Sequence, residues 1–255
     1  SVVAGYLGEI AAAVGKLEGN LDVRGEARRP VVSGQFRLRD GAFRLARSDE
    51  VYRAIAADVR IDDNVIRLTS LEGQKGKKGK ITATGTARLE GFDIVEYTSD
   101  VTIKDFPFST VPGYESTQDG RLTIESQLNA AGKLVPFLSG AVEIKQATIT
   151  RSLAMNEGPP STLTMPTESP SWLCHLDIAA PKNVWVRNPE VSMELGGDLV
   201  LKREERGLYF RGEMRVLRGS YTLYNNKFRI TEGAFEFAMA NALRPVINLD
   251  AYTPH

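Results

Sequence analysis

The sequence predicts an all-β protein: a long antiparallel meander bent into an open apolar trough, with one short N-terminal helix. From residue 17 onward, apolar and polar residues alternate with a period of two along most of the 255-residue chain, which is typical of strands with one buried face. Turn-forming pairs are predicted to separate these runs at Asp40-Gly41, Asp62-Asp63, Asp119-Gly120 and Asn225-Asn226. On the order of 15 strands, joined mostly by hairpins, are expected from this spacing.

Residues 1–16 are interpreted as a short amphipathic helix. Val3, Leu7, Ile10 and Val14 recur at helical spacing, and Gly15 follows as a C-terminal stop. A cap over the edge of the first strand is favoured over a membrane-surface role, because the polar face carries no basic cluster.

Residues 17–150 form the first predicted β-trough segment. Strands are expected at residues 31–39, 55–61, 81–89, 122–128 and 138–144, where every second residue except Ser126 is apolar or glycine. Glycines recur within these apolar rows, where a missing side chain would permit sharp bending of the sheet. They are Gly34, Gly85, Gly140, Gly197 and Gly212.

Residues 151–171 break the alternation. Four prolines there remove hydrogen-bond donors from the backbone, so this stretch is predicted to be a long loop. A surface excursion is favoured over a regulatory lid. Residues 172–255 then form the second predicted β-trough segment, with the clearest alternation over residues 191–202.

Charge and composition exclude several function classes. Lysine plus arginine and aspartate plus glutamate number 32 each, so net charge gives no reason to expect a nucleic-acid partner. The Gly/Lys run over residues 73–80 is interpreted as a solvated hairpin tip rather than a phosphate cradle, since no helix N-terminus follows it. No apolar run approaches the roughly 18 residues of a spanning helix, so a soluble segment, or one separated from its anchor, is expected.

The sequence offers no arrangement for catalysis, metal binding or a cofactor. Cys174 is the single cysteine, which excludes an internal disulfide and a zinc site built from several thiolates. Cys174 and His175 would point to opposite faces of a strand and could not share one ion. The carboxylates Asp49-Glu50 and Glu204-Glu205 are interpreted as solvated charges beside turns. A protein without enzymatic activity is therefore predicted.

The apolar face of so long a sheet is too large to leave in water. Either the sheet folds on itself or an apolar occupant fills it. If it holds a lipid, the alternation predicts a lining of 16 side chains. They are Val32, Phe36, Leu38, Val59, Ile61, Ile81, Leu122, Ile124, Val142, Ile144, Met193, Leu195, Leu199, Leu201, Phe210 and Met214.

A series of short motifs then occupies residues 172–255. LDIAAPKNVWV is followed by GDLVL, GEM, RGSYTLY, FRITEGAFEF and PVINLDA. In this order they resemble the C-terminal conserved domain of the TamB family. Upstream, GKLEGNLDVRGEARRPVVSGQFRLRDGAFRL is similar to the repeating unit of the same family and of the wider AsmA-like, bridge-like lipid transfer group.

This resemblance implies a fold and a place of action. The fold would be a β-taco, and the protein would be periplasmic, with the full-length chain anchored in the inner membrane. Its partners would be phospholipid and an outer-membrane barrel protein of the TamA type. The function would be to carry phospholipid between the membranes or to assist the assembly of outer-membrane proteins. The anchor and much of the long β region usual in the family do not occur among these residues.

Three alternatives to a lipid conduit stay open. An exposed edge strand could template a strand of another chain, as a scaffold for protein assembly would. A sheet that crosses a membrane shows the same alternation, but its aromatic girdles are not matched here, where eight of the 20 aromatics cluster after residue 205. A closed β-sandwich with a purely structural core is the third.

Overall fold

The structure is a computed structural model that describes residues 10–26, 29–46, 50–109, 112–150, 170–205, 207–223, 226–237 and 245–253. These residues form strands and no helix, as the all-β prediction requires. Within the described ranges the chain forms thirteen strands: β1 (Ile10–Glu26), β2 (Arg29–Leu45), β3 (Val51–Asp62), β4 (Val65–Lys75), β5 (Gly79–Glu90), β6 (Asp93–Phe108), β7 (Tyr114–Leu128), β8 (Leu134–Ile149), β9 (Leu173–Arg187), β10 (Val191–Glu204), β11 (Gly207–Leu223), β12 (Asn226–Phe237) and β13 (Val246–Tyr252).

Strands that follow one another in the chain are also hydrogen-bonded neighbours, in the order β1 to β13. The meander is therefore confirmed, with one exception to its antiparallel character. Strands β8 and β9 pair in parallel, with Phe137 opposite Leu173 and Val142 opposite Ile178. Parallel neighbours need a long crossover rather than a hairpin, and residues 150–172 provide that length. The predicted loop over residues 151–171 lies outside the described residues, except for residues 170 and 171.

The predicted N-terminal helix is wrong where it can be compared. Residues 10–16 belong to strand β1, while residues 1–9 lie outside the described residues. Val14 pairs with Ala42, and Gly15 marks a shift in register instead of a helix stop. Pairing with a distant strand has overridden the local helical spacing of the apolar residues.

Two predicted turns are also wrong. Asp40-Gly41 lies inside β2, where the pairing with β3 shifts register on both sides of Gly41. Asp119-Gly120 lies inside β7. Because turn-type residues also serve at bulges, the strands are longer and fewer than the roughly 15 expected.

The chain folds as two compact units, described separately below. The first contains residues 1–106 and 121–127, and the second contains residues 107–120 and 128–255. In the first unit Val101, Ile103 and Phe106 form a small core against which side chains of β3, β5 and β7 pack. The core of the second unit is larger and centres on Val186, Met193 and Phe235.

Glycines in the apolar rows occupy positions with no room for a side chain. A Cβ at Gly34 would lie 2.3 Å from the carbonyl oxygen of Asn20, and one at Gly197 would lie 2.2 Å from that of Glu213. The neighbouring backbone therefore approaches more closely there than a side chain would allow.

Candidate functional site

The apolar face of the first unit is built from rows of cross-strand partners, which lie on the same side of a sheet. One row contains Gly19, Phe36, Val59, Leu68 and Gly85. A second row lies on one side of it and contains Leu21, Gly34, Ile61, Ile66 and Ala87. A third row lies on the other side and contains Leu17, Leu38, Ala57, Leu71, Ala83 and Val101.

The structure places all eight lining residues predicted for this unit on that face. Val32 pairs with Val23, and Ile81 pairs with Ile103. Leu122 and Ile124 pack against the core of Val101, Ile103 and Phe106. Val32 and Ile61 are buried, while Phe36, Leu38, Val59, Ile81, Leu122 and Ile124 are half-buried.

Exposure of this face rises toward β1. Val101 in β6 is 9% exposed, whereas Leu17 in β1 is 68% exposed. Leu21 and Val23, which share the face with Leu17, are 53% and 49% exposed. The described residues of the first unit therefore leave an apolar strip uncovered along β1.

An aromatic contact crosses the apolar face of the first unit near the start of β3 and the end of β6. The ring of Tyr52 in β3 stacks on Phe43 in β2, with ring centroids 4.7 Å apart. Tyr52 also lies 6.3 Å from the ring of Phe106 in β6. Since β4 and β5 separate β3 from β6 in the sheet order, the sheet curves so that its own side chains meet over this end of the face.

A buried ion pair lies beside this contact. Lys75 Nζ lies 2.6 Å from Glu50 Oε1, and both side chains are less than 10% exposed. The same Nζ lies 5.4 Å and 5.2 Å from the ring centroids of Tyr52 and Phe106. Burial, reinforced by the neighbouring Glu50 carboxylate, raises the pKa of Tyr52 to about 12.

The prediction that these two charged residues are solvated is wrong. Lys75 and Glu50 were both expected to be solvated, Lys75 at a hairpin tip and Glu50 beside a turn. The hairpin exists, since β4 ends at Lys75 and β5 begins at Gly79. Lys75, however, points to the aromatic cluster and is 5% exposed, because Glu50, 25 residues earlier, neutralises it there.

The opposite face of the first unit is polar throughout its middle strands. Arg37 and Arg39 in β2 both donate to the carboxylate of Asp58 in β3, at 2.9 Å and 3.0 Å. The hydrogen bond from Arg37, followed by that from Arg39, lowers the pKa of Asp58. Arg67 and Arg60 contact Asp62 in the same way. The two faces thus differ sharply in polarity.

The second unit also has an apolar face and a more polar face. On its apolar face Val142, Ile178, Leu199 and Gly212 form one row across β8 to β11. Neighbouring rows run from Leu176 through Leu201 to Phe210, and from Ala180 through Gly197 and Met214 to Phe235.

The eight lining residues predicted for this unit fall into two groups by burial. Ile144, Leu199, Leu201 and Phe210 are half-buried. Met193, Leu195, Met214 and Val142 are buried, at 1%, 5%, 6% and 9% exposure. The first three of these belong to the hydrophobic core of the unit, where protein side chains surround them.

Sequence reasoning missed apolar-face residues in β1 and β4. Leu17, Leu21 and Val23 alternate with charged or amide residues, so the period of two would have identified them. In β4 the shift in register between Leu68 and Leu71 interrupts the period, which hid that strand. No period in the sequence indicates the contact of Tyr52 with Phe106.

The described residues hold no group of three or more histidine, cysteine or carboxylate side chains that could bind a metal ion. Cys174 is buried, and this burial raises the pKa of its thiol. His175 beside it is exposed, so the two side chains diverge as predicted for a strand. Among these residues no helix is long and apolar enough to span a membrane.

Comparison with known proteins decides the family. The sequence profile of the TamB C-terminal domain matches residues 69–254. The chain belongs to the TamB family. The match begins well before residue 172, so it takes in β5 to β8 as well as the strands that carry the motifs. No curated protein and no solved structure gives a significant match.

Membership of the TamB family agrees with the all-β sheet and its two unlike faces. The family indicates a role in the periplasm, and it is not known as a family of enzymes. For a TamB-family chain of this kind, the apolar face is the candidate functional site.

Proposed function

We propose that this TamB-family chain binds phospholipid acyl chains on its apolar face and carries them through the periplasm between the inner and outer membranes. The observation that supports this most strongly is the uncovered strip of Leu17, Leu21 and Val23, which continues the apolar rows of β2 to β5. A contiguous exposed apolar surface is typical of a site that binds another apolar molecule.

The energetics suit an acyl chain. Moving one methylene group out of water is worth about 0.8 kcal/mol, so about ten methylenes on this face would contribute about 8 kcal/mol. The rows that contain Phe36 and Leu38 include no charged side chain. An acyl chain on these rows would therefore occupy similar positions of similar energy, and it could slide without breaking a polar contact.

The 16 predicted lining residues differ in whether an acyl chain can reach their side chains. The proposal rests on the half-buried side chains, which an acyl chain can reach: Phe36, Leu38, Val59, Ile81, Leu122, Ile124, Ile144, Leu199, Leu201 and Phe210. The other six predicted lining residues are buried and would contact lipid only if the side chains that cover them moved: Val32, Ile61, Val142, Met193, Leu195 and Met214.

Site-specific photocrosslinking tests which face binds lipid. We would place p-benzoylphenylalanine at Leu21 or Phe36 on the apolar face and, as matched controls, at Asn20 or Gln35 on the opposite face of the same strands. After incubation with vesicles of phosphatidylethanolamine and phosphatidylglycerol, phospholipid adducts should form at Leu21 and Phe36 and be at least tenfold fewer at the controls. Equal labelling of both faces would contradict the proposal.

A second candidate function, assembly of outer-membrane proteins with a TamA-type partner, is favoured by strand β13. Among the described residues, β13 has strand pairing with β12 alone, and Val246, Leu249 and Tyr252 are exposed on it. An edge of this kind can template a strand of another chain. Disulfide crosslinks from cysteines in β13 to a partner strand, formed equally well with the lipid-depleted protein, would support this function over lipid carriage.

A further inference from the structure

A pocket of about 440 Å³ lies on the polar face of the second unit. It crosses strands β9 to β12 and is lined by Trp185, Ser192, Arg218, Gly219, Ser220, Lys227 and Arg229. The side chains of the apolar face lie on the other side of the same strands. An occupant of this pocket would therefore not compete with an acyl chain.

The register of the strands places two hydroxyl groups between two guanidinium groups. Ser192 pairs with Arg187 on one side and with Ser220 on the other, and Ser220 pairs with Arg229. Direct cross-strand partners have Cβ atoms about 5 Å apart. Arg187, Ser192, Ser220 and Arg229 thus form a continuous row in which both hydroxyls lie within reach of an arginine.

Arg218 is held beside this row by a carboxylate and an indole. Its Nε donates to Glu194 Oε2 at 2.6 Å, and its guanidinium lies 5.2 Å from the ring centroid of Trp185. Glu194 is 5% exposed, and its other oxygen accepts the backbone N–H of Asn183 at 2.9 Å. Both carboxylate oxygens are engaged, so Arg218 is held through its Nε, while its side chain is 70% exposed.

The pocket carries more positive charge than its own side chains neutralise. Arg187 stacks on Trp185 at 4.4 Å, but neither it nor Lys227 nor Arg229 has an ion pair among the described residues. Within the same residues, the hydroxyls of Ser192 and Ser220 have no hydrogen-bond partner. Like charges on neighbouring strands repel each other, and a bound anion would relieve this repulsion.

We propose that this pocket binds a phosphate group. The donors that line the pocket suit a tetrahedral anion: the hydroxyls of Ser192 and Ser220, the guanidiniums of Arg218 and Arg229, and the ammonium of Lys227. Arg187 lies at the end of the row beyond Ser192. Guanidinium forks match phosphate oxygens in geometry, and charge-assisted hydrogen bonds to them are short and strong. The phosphate can come from the headgroup of a phospholipid or from free phosphate, and the chemistry of recognition is the same.

The test measures binding of inorganic phosphate and recruitment to vesicles by the purified chain. Arg229→Gln and Lys227→Gln remove pocket cations. The matched control is Arg211→Gln, which removes an exposed arginine of β11 outside the pocket. We expect inorganic phosphate to bind saturably by calorimetry, with affinity reduced at least tenfold in Arg229→Gln and changed by less than twofold in Arg211→Gln. Circular dichroism of each variant confirms that the strands are retained.

Vesicles separate the two sources of phosphate. If flotation with phosphatidylcholine vesicles containing phosphatidic acid recruits the protein, and Arg229→Gln abolishes this recruitment, the ligand is a lipid headgroup. If inorganic phosphate binds but such vesicles do not recruit the chain, the ligand is a free phosphate. Absence of saturable phosphate binding and of recruitment, or an equal loss in Arg211→Gln, overturns the proposal. Photocrosslinking at Leu21 and Phe36 reports separately on the apolar face.

Discussion

Removing one member of the buried Lys75–Glu50 pair should destabilise the first unit strongly. The two side chains are 7% and 9% exposed, and Lys75 Nζ lies 2.6 Å from Glu50 Oε1. Lys75→Met keeps much of the side-chain volume beside Tyr52 and Phe106 but leaves the Glu50 carboxylate buried without its cation. Glu50→Gln leaves the Lys75 ammonium buried without its carboxylate partner.

The magnitude follows from the distance and the burial. At an effective dielectric constant of about 20, unit charges at this separation attract by about 6 kcal/mol. Desolvating two ions costs several kcal/mol each, so the intact pair nearly balances. Loss of one partner forfeits the attraction and leaves the desolvation cost of the other. A loss of about 3–5 kcal/mol is therefore expected for each single variant, with the double variant Lys75→Met/Glu50→Gln recovering about 2 kcal/mol or more of their sum.

Urea unfolding followed by circular dichroism measures these differences. An exposed pair supplies the control: Arg24 and Asp22 are 79% and 47% exposed, and Arg24→Ala should change the free energy of unfolding by less than about 1 kcal/mol. If Lys75→Met costs no more than Arg24→Ala, or if the losses in the double variant are simply additive, the attraction between Lys75 and Glu50 does not offset the cost of burying them.

Two further predictions concern the second unit. Gly212 and Gly207 share a φ of +130°, but a Cβ at Gly212 would lie 2.4 Å from the carbonyl oxygen of Asp198, whereas nothing lies within 4 Å at Gly207. Gly212→Ala should therefore lower the free energy of unfolding by about 1–3 kcal/mol more than Gly207→Ala. Equal losses of stability for the two variants in urea unfolding would contradict the close approach. The backbone N–H of Asn183, and then the guanidinium bonded to Glu194, lower the pKa of Glu194 below its usual 4.5. Its stabilising contribution is present above pH 4.5 and is lost as the pH falls through the lowered pKa. The wild type and Glu194→Gln should therefore differ in melting temperature at pH 7, and the difference should shrink as the solution is acidified. A difference that stays constant throughout the acid titration would count against this assignment.

The sequence predicted the faces of the sheet better than its irregularities. Period-two alternation is a local property, so Phe36 and Leu199 could be assigned to the apolar face before any pairing was known. The bulge at Asp40-Gly41 could not be distinguished from a turn, because the same residue types favour both. The strand character of residues 10–16 depends on pairing with β2, which local helical spacing does not reveal.

The contacts that cross the apolar face were beyond sequence reasoning for a related reason. Lys75 belongs to a Gly/Lys run that suggests a solvated turn, and only the return of Glu50 and Tyr52 to the same place buries it. The burial of Met193 in a core is likewise decided by side chains from β8 to β12. Alternation identifies which side a residue faces, but it does not indicate what covers that side.

On the apolar face of the first unit, the aromatic contact and the rows proposed to bind lipid lie at different ends of the strands. Phe43, which stacks on Tyr52, lies seven residues from Phe36 along β2, or about 20 Å at the rise of a strand. The contact therefore holds the strands in a curve from one end. The rows at Phe36 and Leu21 lie toward the other end, where the described residues leave Phe36 half-buried and Leu21 53% exposed. Because an acyl chain crossing the strands along these rows need not pass between Tyr52 and Phe106, the ion pair can stabilise the unit without obstructing the proposed path. Stability and lipid binding are then separable: Lys75→Met should lower the free energy of unfolding, yet below its melting temperature it should leave photocrosslinking at Phe36 in place.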